Sequence, residues 1–291
     1  MEIKVEVNKK YHGYSIKELL KDFHVGKGQI EKIRVNKLVT LNNQLVTLET
    51  RVNRGDVLTF TNEEKINFAL SSKSVDVVYE DEQILIVNKP SGILIHPDGN
   101  ENEDTLVNRV ARYYFDNRLN LEVRYAHRID VETSGLVLFC KDFLTFAKIN
   151  YEVENHLVIR EYLALVAGKF NKKNGVIDLP IGSDRHINNK YRISNSPKAK
   201  ESITNYLVVK EIGDKSLISC ILKTGRTHQI RVHLSHLSHP LLGDKLYGGS
   251  TKEINRVALH SYRIKLVNPI SEKEIEVKAE LPLDMNRILE K

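Results

Sequence analysis

The residues best suited to chemistry lie in AHRIDVETSG, positions 126–135, which places a carboxylate between two apolar runs. Asp130 falls in a predicted tight turn just before the apolar run LVLFC. A lone Asp in such a turn usually caps the next element through backbone N–H groups. Arg128 shares a face with Asp130 if the segment is extended, which favours a chemical role. Asp130 is therefore a candidate catalytic group, with a turn cap as the alternative.

A second polar cluster, KTGRTHQIRVHLSHLSHP at positions 223–240, predicts a helix that begins with basic residues. Its apolar residues recur on one helical face, at Ile230, Leu234, Leu237 and Leu241. Thr227 is the predicted N-cap, and Arg226, His228 and Arg231 lie on the first turn or just before it. Cations there oppose the helix dipole. We therefore expect a nearby anion, either an acidic side chain or a phosphate, with an exposed basic turn as the alternative.

The alternating stretch REYLALVAG predicts a strand that carries a polar aromatic residue. Tyr162 and Ala164 share one face of this strand, opposite Leu163 and Leu165. A tyrosine in a sheet usually contributes to packing. Beside a catalytic carboxylate, its phenol can instead stack on a base or move a proton.

Four histidines, His228, His233, His236 and His239, raise the question of a metal site. They fan around the predicted helix and do not converge, and no HExxH motif or completing Cys or carboxylate is present. The glycine-containing VGKG at positions 25–28 does not match a nucleotide-binding loop. We expect neither a metal ion nor a cofactor.

Residues 1–62 predict a small α/β module. In SIKELLKDF, Ser15 and Glu18 have the spacing of a capping box. GQIEKIRVN predicts a second helix, and the alternation that follows predicts hairpin strands. The module holds eleven basic and seven acidic residues, so it carries four of the chain's six net positive charges. Its helices either present cations to phosphates or form an ordinary solvated surface.

Residues 63–75 predict a linker, and residues 76–291 predict a second, larger domain. In that part, DTLVNRVARYYF and DFLTFAKINYEVENH predict helices, with Asp104 as the cap of the first. Strands outnumber helices, and most neighbouring strands look hairpin-linked. The pattern predicts an α+β fold with a large mixed, mainly antiparallel sheet.

Composition limits the partners and the location of the chain. Its 291 residues include 44 Lys and Arg against 38 Asp and Glu, and this modest basic excess fits a polyanionic partner. Cys140 and Cys220 lie in apolar runs, which is typical of buried thiols in a reducing cytoplasm. The N-terminus has no apolar signal core, and no apolar run approaches the roughly 20 residues that span a bilayer. We expect a soluble cytoplasmic protein with no membrane partner.

Together these stretches resemble the RluA-type RNA pseudouridine synthases. HRIDVETSG is similar to the family signature His-Arg-Leu-Asp followed by Thr-Ser-Gly, with Ile129 in place of Leu. The other family landmarks follow in order between about residue 76 and residue 285: EDEQILIVNKPSGILIHP, REYLALVAGKF, DLPIG, TGRTHQIRVHLSHLSHPLLGDKLYGG and ALHSYRIKLVNP. The resemblance implies the pseudouridine synthase fold and the isomerisation of uridine in RNA to pseudouridine. This reaction requires no redox cofactor, nucleotide or metal.

The resemblance also implies catalytic roles. Asp130 corresponds to the catalytic carboxylate, which either attacks the sugar or takes a proton from it. Arg231 corresponds to its basic partner, which supplies positive charge beside the carboxylate. Tyr162 corresponds to the tyrosine that stacks on the target base and helps to remove the C5 proton.

Four further residues correspond to RNA-binding positions. Arg128 matches the arginine that fills the gap left by the flipped nucleotide, since a stacked base is out of reach of an enzyme. Arg226 and His228 are expected to bind phosphate or to support the pocket. Lys89 is expected to hold the RNA backbone, with a structural role in its turn as the alternative.

The first 62 residues are similar to the ribosomal-protein-S-four-like RNA-binding domain. LNNQLV stands where that pattern prefers Asn-Gly, and GKG replaces the usual Ser-Arg at the start of the second helix. Within this module, Lys27, Lys32 and Arg34 are the candidate RNA contacts.

The expected partner is RNA, in the first place large-subunit ribosomal RNA, and the expected state is a monomer. The alternative is a non-catalytic RNA-binding ribosome-assembly factor on the same scaffold. A metal-dependent hydrolase that uses the histidines is a third hypothesis. The presence of Asp130, Tyr162 and Arg231 together favours the enzyme.

Overall fold

The computed structural model describes residues 2–61, 64–99 and 103–290, and the first of these ranges folds as a small α/β unit. Its elements are β1 (Glu2–Glu6), α1 (Ile16–Asp22), α2 (Lys27–Val35), β2 (Val39–Leu41), β3 (Gln44–Leu45) and β4 (Val57–Thr61). The four strands form an antiparallel sheet in the order β1-β4-β2-β3. Apolar side chains of both helices share one core with this sheet.

Helix α1 begins and packs as its sequence predicts. The Ser15 N–H donates to Glu18 Oε2 at 2.7 Å, and the Glu18 N–H donates to Ser15 Oγ at 3.2 Å, which completes the capping box. The residues with helical spacing are all buried: Ile16, Leu19, Leu20 and Phe23. Burying each of these side chains stabilises the unit by about 1.5–3 kcal/mol, more than the cap contributes.

The remaining strands and helices belong to a second, larger unit. Its strands are β5 (Asp76–Glu80), β6 (Ile84–Lys89), β7 (Arg124–Tyr125), β8 (Ser134–Cys140), β9 (Ile159–Ala167), β10 (Asn174–Asp178), β11 (Ile181–Ser183), β12 (Tyr191–Ile193), β13 (Ile203–Ile212), β14 (Lys215–Leu222), β15 (Leu259–Val267) and β16 (Glu274–Lys278). Its helices are α3 (Leu106–Asp116), α4 (Phe143–Glu154), α5 (Gln229–His236) and α6 (Leu283–Leu289).

Ten of these strands form one mixed sheet. The main path is β10-β13-β14-β9-β15-β8-β6-β5, with β16 beside β15 and β7 beside β8. Every pair is antiparallel except β15 with β8. Strands β11 and β12 form a separate ribbon. The predicted α+β class with a large, mainly antiparallel sheet is confirmed.

Strand β9 divides its side chains between two cores, as its alternation predicts. Tyr162 and Ala164 pack with Ile230 of α5 on one face. Leu163 and Leu165 pack in a different core on the other face. The face that carries Tyr162 is therefore the face that α5 covers.

The two units are in direct contact through α4. Phe143 and Leu144, on its first turn, are part of the core of the N-terminal unit. Further along α4, the Tyr151 ring stacks on His24, with ring centroids 3.5 Å apart. The N-terminal unit is thus packed against the larger unit through a shared apolar core.

The segment between the units is packed although it has no regular structure. The predicted boundary between residues 62 and 63 lies outside the described residues. Residues 64–75 contain neither helix nor strand. Arg124 donates to Glu64 Oε2 at 2.9 Å, and Ile66 and Phe68 pack into the core beside α3. The described part of the predicted linker therefore lies along the larger unit.

Two predicted helix caps are wrong. Thr105, with Asn108 as its capping-box partner, caps α3, whereas Asp104 binds Arg109 through a hydrogen bond of 2.8 Å. At α5 the N-cap is His228, with a φ of 57°, and Thr227 precedes it. In both cases the helix starts one residue later than predicted.

Candidate active site

Asp130 lies in the loop that joins β7 to β8, beside a strand that is buried along its whole length. Its carbonyl oxygen accepts the Thr133 N–H at 3.1 Å, which closes the turn. Among the described residues, no backbone N–H binds its carboxylate, so the side chain does not cap the turn. The side chain is 25% exposed, and its carboxylate faces two basic groups of the α5 region. The structure therefore does not support the cap alternative.

Arg231 is the principal charge beside Asp130. It lies in the first turn of α5 with a side chain only 4% exposed, and its Nη1 is 3.6 Å from Asp130 Oδ2. Its Nε and Nη2 donate to the buried Asp244 carboxylate at 2.7 and 2.9 Å. Glu132 Oε2 lies 3.6 Å from Nη2. The anion expected near this helix start is thus a set of three carboxylates.

Asp244 was missed by the sequence analysis. It lies in LLGDKLYGG, which was used only as a landmark of the family. Its side chain is fully buried, accepts two hydrogen bonds from Arg231 and also accepts the Tyr247 N–H at 3.3 Å. A buried carboxylate requires a cation partner. The available signal was an acidic residue in a stretch that is otherwise rich in glycine and apolar residues, apart from Lys245.

His228 faces Asp130 from the start of α5. Its Nε2 lies 4.0 Å from Asp130 Oδ2, and its Nδ1 lies 3.0 Å from the Tyr247 hydroxyl oxygen. Burial lowers the pKa of His228, and the charge of Asp130 opposes that shift. The Tyr247 oxygen also accepts the Tyr191 N–H at 2.9 Å. These contacts fix the ring of His228 beside the carboxylate.

Tyr162 lies on the α5-covered face of β9 and is 4% exposed. Burial raises the pKa of its phenol, and the charge of Asp130 acts in the same direction. The charge of Arg160 acts in the opposite direction. A buried, uncharged aromatic ring therefore lies within electrostatic reach of Asp130.

Gly135 allows β8 and β15 to approach closely behind the Asp130 loop. Its φ is +108°, and a Cβ at this position would overlap the Ser261 carbonyl oxygen. In the same region, the Ser134 hydroxyl and His260 Nδ1 are 2.9 Å apart. Only glycine fits both the backbone conformation and the space.

The structure separates the predicted RNA contacts into exposed and buried groups. Arg128 and Arg226 are exposed, and Arg226 Nε donates to the Glu201 carbonyl at 3.0 Å. Lys89 is fully buried and donates to the carbonyls of Pro90, Ile93 and Val131 at 2.9–3.0 Å.

The three donors of Lys89 are therefore occupied by the protein itself. Burial lowers its pKa to about 7, while the charge of Asp130 opposes that shift. This geometry favours the structural role for Lys89 over the predicted RNA contact. The ammonium ties the turn after β6 to the Asp130 loop.

The candidate cations of the N-terminal unit lie on α2, away from these contacts. Lys27 and Lys32 are exposed. Arg34 is also exposed and binds Glu31 on the same helix at 2.5–2.9 Å. Its charge is thus partly balanced within α2.

The described ranges 2–61, 64–99 and 103–290 contain neither a candidate metal site nor a candidate membrane-spanning helix. No group of three or more His, Cys, Asp or Glu residues could hold a metal ion there. None of the helices in those ranges is both long and apolar enough to cross a membrane.

Family models match both parts of the chain. Residues 83–236 match the model described as RNA pseudouridylate synthase. Residues 3–58 match the model described as the RluD ribosomal pseudouridine synthase N-terminal domain. The first match spans β6 to α5 and so includes Asp130, Tyr162 and Arg231.

Known relatives agree with the family models. The chain is 37% identical over 260 residues to "Uncharacterized RNA pseudouridine synthase YhcT" of Bacillus subtilis, a match that covers 89% of this chain and 84% of that protein. It is 32% identical over 242 residues to "Ribosomal large subunit pseudouridine synthase D" of Escherichia coli, covering 78% and 73%. Among solved structures, "Human RNA Pseudouridylate Synthase Domain Containing 1" superposes with a TM-score of 0.60 at 26% identity, covering 72% and 84%. The chain therefore belongs to the RluA-type RNA pseudouridine synthases, and it is an isomerase.

Proposed function

We propose that this enzyme isomerises uridine in large-subunit ribosomal RNA and that Asp130 is the carboxylate that acts on the target nucleotide. The substrate rests on relatives named ribosomal large subunit pseudouridine synthase D and on the match of residues 3–58 to the N-terminal domain of a ribosomal enzyme. The catalytic assignment is carried by one observation: the partly exposed carboxylate of Asp130 lies 3.6 Å from the buried guanidinium of Arg231.

The reaction balances without a co-reactant. The bond between ribose C1′ and uracil N1 breaks, and a bond from C1′ to uracil C5 forms. The proton on C5 leaves, and N1 takes up a proton. A charged carboxylate can assist this exchange either by attacking C1′ or by taking a proton from the sugar. The proposal leaves both routes open to Asp130.

Arg231 supports this role because hydrogen bonds fix the orientation of its guanidinium. Two hydrogen bonds hold its Nε and Nη2 against Asp244, which leaves Nη1 directed at Asp130. Charges that are fixed before the substrate binds stabilise developing charge without reorganising. The pair of Arg231 and Asp244 thus orients one cation beside the reacting carboxylate.

Tyr162 and Arg128 are suited to holding a flipped nucleotide. The raised pKa keeps Tyr162 as a neutral phenol, which favours a stacking surface for the uracil ring over an initial proton acceptor. Arg128 is exposed and lies two residues before Asp130, where its side chain can occupy the space that the extruded base leaves.

The organisation of the chain follows from the same proposal. Residues 1–62 form an RNA-binding module of the ribosomal-protein-S-four-like type, residues 63–75 connect it, and residues 76–291 form the catalytic domain. Lys27, Lys32 and Arg34 of α2 contact phosphates, and Arg226 and His228 contact the substrate strand near the pocket.

The test uses the full chain and an unmodified large-subunit ribosomal RNA transcript labelled with tritium at uridine C5. We expect the wild-type protein to release tritium and to form pseudouridine at one or a few mapped uridines. Asp130→Asn should lower the rate by at least about 10³-fold while RNA binding persists. Glu132→Gln, which alters the neighbouring acid, is the matched control and should remain active.

Each part of the proposal has its own contrary result. Normal tritium release by Asp130→Asn would remove Asp130 from the chemistry. Modification of transfer RNA but not of the ribosomal transcript would overturn the substrate. Tight binding of the ribosomal transcript with no pseudouridine formed by the wild-type protein would favour the assembly-factor alternative.

A further inference from the structure

Arg160 is a buried cation to which the reaction described above gives no role. It is the second residue of β9, 5% exposed, and it shares a strand face with Tyr162. Its Nε is sealed from solvent and has no hydrogen-bond acceptor among the described residues. Within the same ranges of the chain, no carboxylate lies at ion-pair distance from its guanidinium.

Other buried arginines of this protein do have a carboxylate at ion-pair distance. Arg109, Arg124 and Arg231 have side chains about as buried, and each contacts at least one carboxylate. Leaving a buried guanidinium without an anion is costly, because its charge and its unpaired Nε–H lose water without gaining a partner. The free protein is therefore destabilised at Arg160, and an arriving anion would relieve that cost.

The surroundings of Arg160 carry the charge of an anion site. Burial lowers the pKa of His156, and the positive charges of Arg160, Lys223 and Arg226 act in the same direction. The acid that acts on His156 in the opposite direction is Glu201. Arg160 is thus one of three cations near the turn before α5, and the other two, Lys223 and Arg226, are exposed.

Gly225 lies directly over the buried guanidinium of Arg160. A Cβ built at this position would lie 3.6 Å from Nη1 and 3.8 Å from Nη2 of Arg160. Gly225 itself is exposed, so these two nitrogens lie directly beneath the surface of the turn. Any side chain larger than alanine at position 225 would stand in front of them.

We propose that Arg160 binds a phosphodiester group of the RNA strand that flanks the target nucleotide. This inference rests on the proposed function, since it takes Tyr162, two residues along the same strand face, as the stacking surface for the target base. The phosphate next to that base then meets the guanidinium over Gly225, with Lys223 and Arg226 beside it. The binding of this phosphate would supply the anion that the folded protein lacks.

The experiment compares Arg160→Met and Arg160→Lys with wild type in the full chain. The probe is the large-subunit ribosomal RNA transcript, with Kd measured over a range of salt concentrations. We expect Arg160→Met to raise Kd by about tenfold and to reduce the slope of log Kd against log salt by roughly 0.7. Arg160→Lys should retain most of the slope. The Tm of Arg160→Met without RNA should equal or exceed that of wild type, because an unpaired buried charge has been removed.

Arg263→Met is the matched control. Arg263 lies on the neighbouring strand β15 and donates to Glu161 at 2.6 Å, so its charge is already partnered. This variant should lower the Tm and leave the salt slope unchanged. Gly225→Val, which covers the guanidinium, should reproduce the weaker binding of Arg160→Met.

Several results would overturn the assignment. A lower Tm with an unchanged Kd in Arg160→Met would make the residue a structural support. A higher Kd with an unchanged salt slope would mean that Arg160 contacts a neutral group. Tritium release by the wild type, followed in the same samples, reports on the proposed function separately. Its absence would contradict that function, while the binding comparison would still decide the role of Arg160.

Discussion

The pocket around Asp130 and helix α2 of the N-terminal unit both present basic side chains, but in opposite environments. Arg231 is almost completely buried and is fixed by two hydrogen bonds to Asp244. Lys27 and Lys32 extend into solvent from α2. The pocket fixes a single cation among three carboxylates, and α2 exposes its cations to solvent.

The difference follows from the cost of burial. A buried charge must be paired and hydrogen-bonded, so its position is determined by its partners and becomes accurate enough for chemistry. An exposed charge loses little solvation, and its effect is a screened attraction that falls with salt. Changes in the pocket should therefore affect both stability and rate, whereas changes on α2 should affect RNA affinity alone.

The largest effect is expected from Arg231→Met. The substitution leaves Asp244 buried without its cation and removes the positive charge beside Asp130. We expect a loss of about 3–5 kcal/mol in the free energy of unfolding, measured by urea titration. Because Asp130 loses its partner, pseudouridine formation should fall by at least about 10³-fold.

A double variant separates the two roles of Arg231. Arg231→Met with Asp244→Asn removes both buried charges and retains an oxygen that can accept the Tyr247 N–H. Most of the lost stability should return, while the activity stays low. Full activity in the double variant would show that Asp130 needs no adjacent cation. The pocket and α2 would then differ only in how deeply their cations are buried.

Much of the fold could be predicted from local patterns. The capping box of Ser15 and Glu18, the two faces of β9 around Tyr162, and the buried strand after Asp130 all follow from spacing. Each depends on neighbours within a few residues, which the sequence displays directly. The predicted cap at Asp104 was wrong because its carboxylate binds Arg109, Ser71 and Lys73. The predicted cap at Thr227 was wrong by one residue.

The site was predictable only as far as family motifs identify residues. Asp130, Tyr162 and Arg231 were placed on three separate elements, and the structure brings them together. Asp244 and Arg160 were missed because their importance lies in what surrounds them. A sequence does not show whether a charged residue is buried or whether it has a partner of opposite charge.

Per unit of pH, a smaller effect is expected from the protonation of two buried histidines near the Asp130 loop. Burial lowers the pKa of His127 to about 3, with the charge of Arg160 acting in the same direction, and burial lowers the pKa of His260 to about 4. Since the unfolded chain binds these protons near pH 6.5, it holds more protons than the folded state between pH 6.5 and about 4. Stability should therefore fall as the pH drops through this window, by about 1.4 kcal/mol per pH unit for each histidine.

Urea titrations at pH 7, 6, 5 and 4 measure this dependence. His127 Nε2 accepts the Leu138 N–H at 3.3 Å, so His127→Gln can keep an acceptor while removing the titrating ring. We expect this variant to be less sensitive to pH by about 1.4 kcal/mol per unit. His186→Gln, on an exposed loop, is the control. An equal pH dependence in His127→Gln and wild type would contradict a neutral, buried His127.

The smallest effect is expected from Lys27→Gln combined with Lys32→Gln. Both side chains are exposed, so the free energy of unfolding should change by less than about 0.5 kcal/mol. The Kd for the ribosomal transcript should rise only several-fold at low salt, and its salt slope should fall by about one for each phosphate that the variant no longer binds. Lys172→Gln, an exposed charge outside the N-terminal unit, is the matched control. If the salt slope of the double variant equals that of wild type, α2 does not contact RNA, and the N-terminal unit must act through its packing on α4. A marked loss of stability in the double variant would instead show that the cations of α2 are held as firmly as those of the pocket.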